Sequence, residues 1–231
     1  QTNNEQFVLN SNTVVATNLK GEARTRIADA VKELFPQVKK QGSVGKKRNV
    51  INIKVTGTER DVEQIASNKT FQSYQLDVNK DGVFIVSPTE AGAFYALQTL
   101  VGLQKAPNTL QGCKVVDEPR FNWRGYMIDC SRHYCTPAFI KKQIDMMAHF
   151  KLNRLHLHMV DGAGWRIQVD SYPLLTQKTA YRTSSDWNKW WIGGERTFCE
   201  SNAPGAYGGF YTKQELRDIV AYAAKKHIVV L

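Results

Sequence analysis

The stretch that decides the fold is residues 119–134, Pro-Arg-Phe-Asn-Trp-Arg-Gly-Tyr-Met-Ile-Asp-Cys-Ser-Arg-His-Tyr. Its middle, Tyr126 to Cys130, is short and apolar and reads as a buried strand. Asp129, Arg132 and His133 gather at the carboxyl end of that strand. A helix start follows at once, with Thr136 as N-cap and Pro137 at the first helical position, where its missing N–H costs nothing. Strand, polar cluster and helix make the first turn of a β/α unit. In parallel α/β folds the carboxyl ends of the strands are where ligands are held.

Toward the C-terminus the same alternation continues. Ile140, Ile144, Met147 and Ala148 stripe the first helix, and Arg154 to Val160 reads as a second strand ending at Asp161-Gly162-Ala163-Gly164-Trp165. A long irregular loop spans roughly 175–209, rich in Trp, Ser, Asn and Gly; loops of that length inside α/β domains are functional or disordered. Thr212-Lys213-Gln214-Glu215 is a capping box, with Leu216, Ile219, Val220 and Ala223 striping its helix, and Ile228 to Leu231 begins a third strand. Such β/α units suit a (β/α) barrel or a doubly wound sheet. Three strands complete neither, and a barrel needs several more.

Toward the N-terminus, residues 1–118 read as a small α+β unit. Phe7 to Val15 alternates weakly and predicts a strand with a turn at Asn10-Ser11-Asn12. Ala23, Ile27, Ala30, Val31 and Leu34 fall on one helical face between Gly21 and Phe35, closed by Pro36. Val50 to Val55 alternates as a half-buried strand, and Ser73 to Val78 and Val83 to Val86 flank a hairpin turn at Asn79-Lys80-Asp81-Gly82. Ser87-Pro88-Thr89-Glu90 predicts a capping box with proline at the first helical position, and Ala93, Phe94, Leu97, Leu100 and Val101 face inward from that helix. Gly112 to Glu118 reads as an exit strand or linker.

A chain of 231 residues, 42% apolar and 23% charged, has the length and composition of a globular protein with a sizeable core. It contains no run near the 18 or so apolar residues that span a bilayer. It opens on Gln1 without a visible signal peptide, so we expect a processed or engineered form from which an export signal has been removed. Of the net charge of +10, half falls in the first fifty residues, with Lys39, Lys40, Lys46, Lys47 and Arg48 as the cluster. No aromatic residue is interleaved with those charges, so the cluster and its Gln41–Gly45 spacer read as a solvated loop and not a nucleic-acid surface. Cys113, Cys130, Cys135 and Cys199 contain no C-x-x-C pair, and Cys130 reads as a small buried hydrophobe.

Two residues stand out for chemistry. Arg132, just past the first strand, has the fixed fork of donors that grips sugar hydroxyls or a carboxylate; the competing role is a salt bridge to Asp129. Asp161 ends the second strand beside two glycines, where it orders a hydroxyl, a histidine or a catalytic acid, or else caps the following turn. His156 and His158 share one strand face, but a zinc site needs three or four protein ligands and no third is evident, so no metal is expected. Trp165, Trp187, Trp190, Trp191 and Tyr207 lie in the loops after the second strand. Trp190 and Trp191 are the candidates for stacking on a sugar face.

The stretch from Phe121 to Tyr134 resembles the opening of the catalytic barrel in the β-N-acetylhexosaminidases of glycoside hydrolase family 20. Leu152 to Asp161 is similar to that family's second strand, and Gly164-Trp165-Arg166-Ile167 and Gly209-Phe210-Tyr211-Thr212 are similar to its further motifs. Asp81-Gly82-Val83 and Ala91 to Leu100 resemble the small α+β domain that precedes the barrel. The resemblance implies a small domain over 1–118 followed by the first three β/α units of a (β/α)8 TIM barrel over 119–231, truncated at strand three. It implies that Arg132 binds the hydroxyls of a terminal N-acetylhexosamine and that Asp161 supports the catalytic apparatus. A second acid and a glutamine often follow that aspartate in the family, whereas Gly162-Ala163 follow here.

By the same resemblance, a histidine past strand three and an adjacent Asp-Glu pair past strand four complete the site. The glutamate protonates the glycosidic oxygen, and the aspartate orients the substrate's own acetamido group for attack on the anomeric carbon, a route outside the usual two-carboxylate scheme. The sole adjacent Asp-Glu here, Asp117-Glu118, lies upstream of strand one, so no general acid is expected within the chain. The expected activity, in a full-length parent, is release of terminal GlcNAc or GalNAc from glycans, without a cofactor, without nucleic acid, and outside the cytoplasm: periplasmic, surface-bound or secreted. The competing class is a carbohydrate-binding remnant without catalysis.

Overall fold

The computed structural model describes residues 1–42, 45, 48–58 and 60–231. Ser43, Val44, Lys46 and Lys47, which belong to the basic loop singled out above, lie outside the described residues. The chain forms two compact units. One comprises Gln1–Arg124 with Ala148–Asn153 and Lys225–His227, the other Gly125–Met147, Arg154–Ala224 and Ile228–Leu231.

The first unit runs β1 (Thr2–Val8), β2 (Val14–Thr17), α1 (Gly21–Leu34), β3 (Lys40–Gln41), β4 (Val50–Val55), α2 (Val62–Ala66), a 3-10 turn (Lys69–Gln72), β5 (Tyr74–Asn79), β6 (Gly82–Ser87), α3 (Glu90–Gly102), β7 (Gln104–Ala106) and β8 (Thr109–Asp117). The strands make one mixed sheet in the order β1-β8-β5-β6-β4-β2-β3, with β7 paired to β8. β2, β4 and β6 are mutually parallel, while β5 pairs antiparallel with β6 and β8. Ile51, Ile53, Val83 and Ile85 are 1% exposed or less, and burying each contributes roughly 1.5–3 kcal/mol over leaving it exposed.

Several expectations need correction here. The turn at Ser11-Asn12 forms, held by Asn10 Oδ1 accepting from the Asn12 amide at 2.9 Å. The expected strand over Phe7–Val15 is instead two, β1 and β2, one on each side of the turn, pairing with β8 and β4 respectively. The second long helix is capped by Thr89 and not Ser87, since Ser87 is already the last rung of β6, opposite Val55. Pro88 therefore precedes the helix. Of the two readings of residues 112–118, exit strand or linker, the strand holds: most belong to β8, which pairs with both β1 and β5. The short α2 and the 3-10 turn were not legible as hydrophobic periods, and are started by the Asp61 and Asn68 side chains instead. In the basic stretch, Lys40 and Gln41 form the edge strand β3.

His227 belongs to the first unit and carries a pH-dependent consequence. Its backbone is left-handed, with φ +58°, and its ring is buried against Phe94 at 5.3 Å between centroids. Nε2 lies 3.7 Å from Glu90 Oε1, but Glu90 is already gripped by Arg26 through Nε at 2.9 Å and Nη2 at 2.8 Å. Burial first, and then the Arg26 charge, push the imidazole from its ordinary 6.5 down to about 3. Below pH 6.5 the unfolded chain binds a proton that the folded protein refuses. Stability from this group is thus fully present above 6.5 and lost as pH falls toward 3, at up to about 1.4 kcal/mol per pH unit. Urea unfolding at pH 7, 5.5 and 4.5 should show this slope, and His227→Gln should flatten it.

The second unit runs β9 (Gly125–Asp129), α4 (Pro137–His149), β10 (Arg154–His158), the two-residue strands β11 (Val160–Asp161) and β12 (Gly164–Trp165), α5 (Leu174–Thr179), β13 (Tyr181–Arg182), a π-helical turn (Asn188–Ile192), β14 (Tyr207–Gly208), α6 (Lys213–Ala224) and β15 (Val229–Val230). Its core is a parallel sheet in the order β15-β10-β9. Thr136 caps α4 as expected, its Oγ accepting from the Phe139 amide at 3.2 Å, and Ile140, Ile144, Met147 and Ala148 are buried. At α6 the capping box forms: the Thr212 amide donates to Glu215 at 2.8 Å and the Glu215 amide to Thr212 Oγ at 3.1 Å. Ile219 and Ala223 of that helix are buried, but Val220 is half exposed.

Candidate active site

The register of β9 and β10 sets Asp129 opposite His158 at the carboxyl ends of two adjacent parallel strands. The chain turns sharply after each, so Arg132 and Asp161 arrive beside them. Asp129 caps its own turn by accepting the Arg132 amide at 2.9 Å and also pairs with Arg132 Nη1. Nη2 of the same guanidinium lies 3.0 Å from Asp161 Oδ2. That oxygen is shared with His158 Nε2, also at 3.0 Å, while Asp161 Oδ1 accepts the Gly162 amide at 2.6 Å. Arg132 is salt-bridged yet 47% exposed, and Asp161 caps its turn while ordering a histidine.

The electrostatics follow the geometry. Burial disfavours the charged form of Asp129, but the Arg132 amide and guanidinium outweigh it and hold the carboxyl below the usual range. Asp161 is likewise held low, by the Gly162 amide first, then by His158 and Arg132. Ion pairs this exposed contribute little stability, because solvent screens them. Their effect is to fix a guanidinium of five donors between two carboxylates, with donors left over for a ligand.

The tryptophans divide. Trp190 is fully buried, which removes it as a sugar-stacking residue: its indole N–H donates to the Thr197 carbonyl at 2.9 Å, and Trp187, Trp191, Phe198 and the Arg182 guanidinium pack on its ring. A tryptophan buried on both sides needs its N–H satisfied, and the loop does so. Trp191 is only partly buried and lies beside the cluster, since a Cβ at Gly162 would sit 3.5 Å from its ring. Trp187 stacks on it at 5.4 Å, 11° from parallel. His133 Nδ1 is 3.3 Å from the Tyr207 hydroxyl, and burial first, then the Arg182 charge, lower its pKa. His156 is exposed and lies outside these contacts. All four cysteines are free thiols.

Two buried arginines escaped the sequence reading. Arg166 is fully buried and donates to the carbonyls of Cys130 at 2.9 Å, Ser131 at 2.7 Å, Gly209 at 3.0 Å and Ala180. Position 164 must be glycine for this, because a Cβ there would lie 2.5 Å from the guanidinium. Gly208, at φ +148°, is equally constrained: a Cβ would approach the Ala180 carbonyl oxygen to 2.0 Å. Arg182 is buried too, and donates to the Arg132 carbonyl at 2.7 Å. The Gly-Trp-Arg-Ile motif pointed at Arg166 without its role, and nothing local pointed at Arg182. A cavity of about 540 Å³, lined among others by Gln168, Asp170, Tyr181, Glu200 and Phe210, includes no residue of the Arg132 cluster.

Residues 1–118 match the family model described as glycosyl hydrolase family 20, domain 2, and residues 121–231 the one described as glycosyl hydrolase family 20, catalytic domain. A β-hexosaminidase of Porphyromonas gingivalis is 38% identical over 170 residues, covering 69% of this chain and 20% of the relative. An N,N'-diacetylchitobiase of Vibrio harveyi is 32% identical over 165 residues, covering 69% of this chain and 18% of its own length. Among solved structures, the exo β-N-acetylglucosaminidase of Vibrio harveyi in complex with N-acetylglucosamine superposes with a TM-score of 0.76 at 27% identity, over 100% of this chain and 34% of that one. A variant of the Streptomyces plicatus β-hexosaminidase in complex with its product GlcNAc gives 0.73 at 29% identity, over 100% of this chain and 43% of that one. The match thus spans about a fifth of the length of these two relatives, and on the two domain matches the chain belongs to glycosyl hydrolase family 20.

Proposed function

We propose that these residues belong to an exo-acting β-N-acetylhexosaminidase that releases terminal GlcNAc or GalNAc from glycans. In this reading residues 1–118 are the small domain preceding the barrel, and 119–231 supply the first three β/α units of a (β/α)8 barrel. The observation that carries it is Arg132: a half-exposed guanidinium held at the carboxyl ends of parallel strands by Asp129 and Asp161. There its remaining donors grip the hydroxyls of the terminal sugar, and the exposed side of Trp191 offers an apolar face beside it. Asp161, bonded to His158, links the sugar-binding arginine to the catalytic apparatus. The general acid and the residue that orients the acetamido group come from strands beyond these three. The acetamido oxygen attacks C1 from the face opposite the leaving oxygen as the acid protonates that oxygen. Water then attacks C1 from the face the leaving group vacated, opposite the acetamido oxygen, giving its proton to the conjugate base of the acid, so the acetamido group re-forms and configuration is retained.

The reading is supported by the family match and by relatives that share its two domains. It is tested by assaying the full-length protein with an aryl β-N-acetylglucosaminide and an aryl β-glucoside. Turnover of the acetamido sugar with at least a hundredfold preference is expected. Preference for the plain glucoside would exclude acetamido assistance, and sugar binding without turnover would favour a binding module. We further propose an extracytoplasmic location, in keeping with a glycan substrate. No helix among the described residues is long and apolar enough to cross a membrane. Cell fractionation that finds the protein in the cytosol would reverse this placement.

A further inference from the structure

Arg182 is a buried cation that meets no carboxylate among the described residues. Its guanidinium lies between three aromatic rings, 5.4 Å from the centroid of Trp187, 5.2 Å from Trp190 and 5.0 Å from Tyr207. Nε donates to the Ser184 carbonyl at 2.8 Å and Nη2 to Ser185 at 3.5 Å, both within its own loop. Nη1 reaches outside the loop and donates to the Arg132 carbonyl at 2.7 Å, across 50 residues of sequence. The same cage borders the next residue: Tyr207 bonds the His133 ring, and Trp187 packs on it at 6.2 Å. A buried charge without a counter-ion is costly, and rings and carbonyls offset that cost only in part. Fixing a loop onto itself needs no such group. What the cation adds is a rigid, charge-assisted bond to the backbone of the residue that carries the site.

We infer that Arg182 is a positioning residue: through the Arg132 carbonyl it sets the orientation in which the Arg132 side chain meets the sugar. The inference rests on the proposed role of Arg132 as the sugar-gripping residue. It also gives the long loop a function, since this loop supplies the donor and the aromatic cage that hold residues 132–133 from outside their own strand. Without Arg182 the Arg132 carbonyl loses its side-chain donor. The ties to Asp129 and Asp161 and those of Arg166 to the neighbouring Cys130 and Ser131 carbonyls remain, but the backbone of residue 132 is free to shift and the guanidinium samples geometries that miss the substrate. The defect should fall mainly on kcat/KM through KM if Arg132 grips the sugar equally in ground and transition states. It should fall on kcat as well if the grip tightens at the transition state.

The test is a double-mutant cycle in the full-length protein, read as kcat/KM for the aryl β-N-acetylglucosaminide. Arg182→Met is expected to cost ten- to thirtyfold in the native background and less than twofold when Arg132 is already alanine, because it acts through Arg132. Should Arg182→Met fail to fold, Arg182→Lys carries the same comparison. It keeps the charge among the rings but loses the fork, with an expected fivefold loss that again disappears with Arg132→Ala. Losses that multiply in the double variant, or an Arg182→Lys enzyme with unchanged kcat/KM, would overturn the inference while leaving the role of Arg132 intact. If Arg132→Ala itself costs less than tenfold, the sugar-gripping reading fails and takes this inference with it.

Discussion

Arg132→Ala in the full-length protein should lower kcat/KM for an aryl β-N-acetylglucosaminide by two to three orders of magnitude. That is roughly 3–4 kcal/mol of lost transition-state stabilisation, at about 1.4 kcal/mol per tenfold. The expectation follows from how the guanidinium is held. Asp129 takes one edge and Asp161 another, so the side chain is oriented before any ligand arrives and little entropy remains to be lost on binding. Arg132→Lys should fare only modestly better, because one ammonium cannot bridge two carboxylates and still present a fork to vicinal hydroxyls. The stability of either variant should change little, as the ion pairs are exposed and screened by solvent. Melting curves alongside the kinetics separate the two effects. A loss below tenfold with the fold intact would reduce Arg132 to a structural ion pair.

The largest stability effect should come from Arg166. Replacing it by Met keeps most of the volume but removes the donors to four backbone carbonyls, those of Cys130, Ser131, Ala180 and Gly209. Buried acceptors stripped of a charged donor cost about 1–3 kcal/mol each, with partial relief where the chain relaxes. We therefore expect a net loss of about 3–5 kcal/mol in urea unfolding. The four carbonyls come from two separate stretches, 130–131 and 180–209, so hydrogen exchange should accelerate in both. Replacing a buried ion by an apolar residue is often harmless where the partner charge is removed with it. Here the partners are main-chain carbonyls and cannot be removed. A loss under 1 kcal/mol would mean the carbonyls find other donors, and that the guanidinium is not what joins the two stretches.

Much of the framework was legible without coordinates. The periods of Ile140, Ile144 and Met147, the Thr136-Pro137 start, the Thr212–Glu215 box and the 79–82 turn all work through contacts within a few residues, so their signatures lie in the chain itself. The placement of Asp129, Arg132 and Asp161 at strand ends was equally readable, but the bond from Arg132 to Asp161 comes from the register of β9 beside β10. Other features depended on partners far away in sequence. Ser87 looked like a cap until β4 claimed it as a strand residue. Val220 continued a helical stripe, yet half of its surface is exposed. Trp190 and Trp191 are adjacent and chemically identical. Only the packing of the 175–209 loop decides that Trp190 fills its core while Trp191 reaches Gly162. Arg166 and Arg182 show the limit most plainly. A surface arginine and a buried one have the same local pattern, and what distinguishes them is a set of carbonyls as far as 50 residues distant that only the folded chain brings into reach.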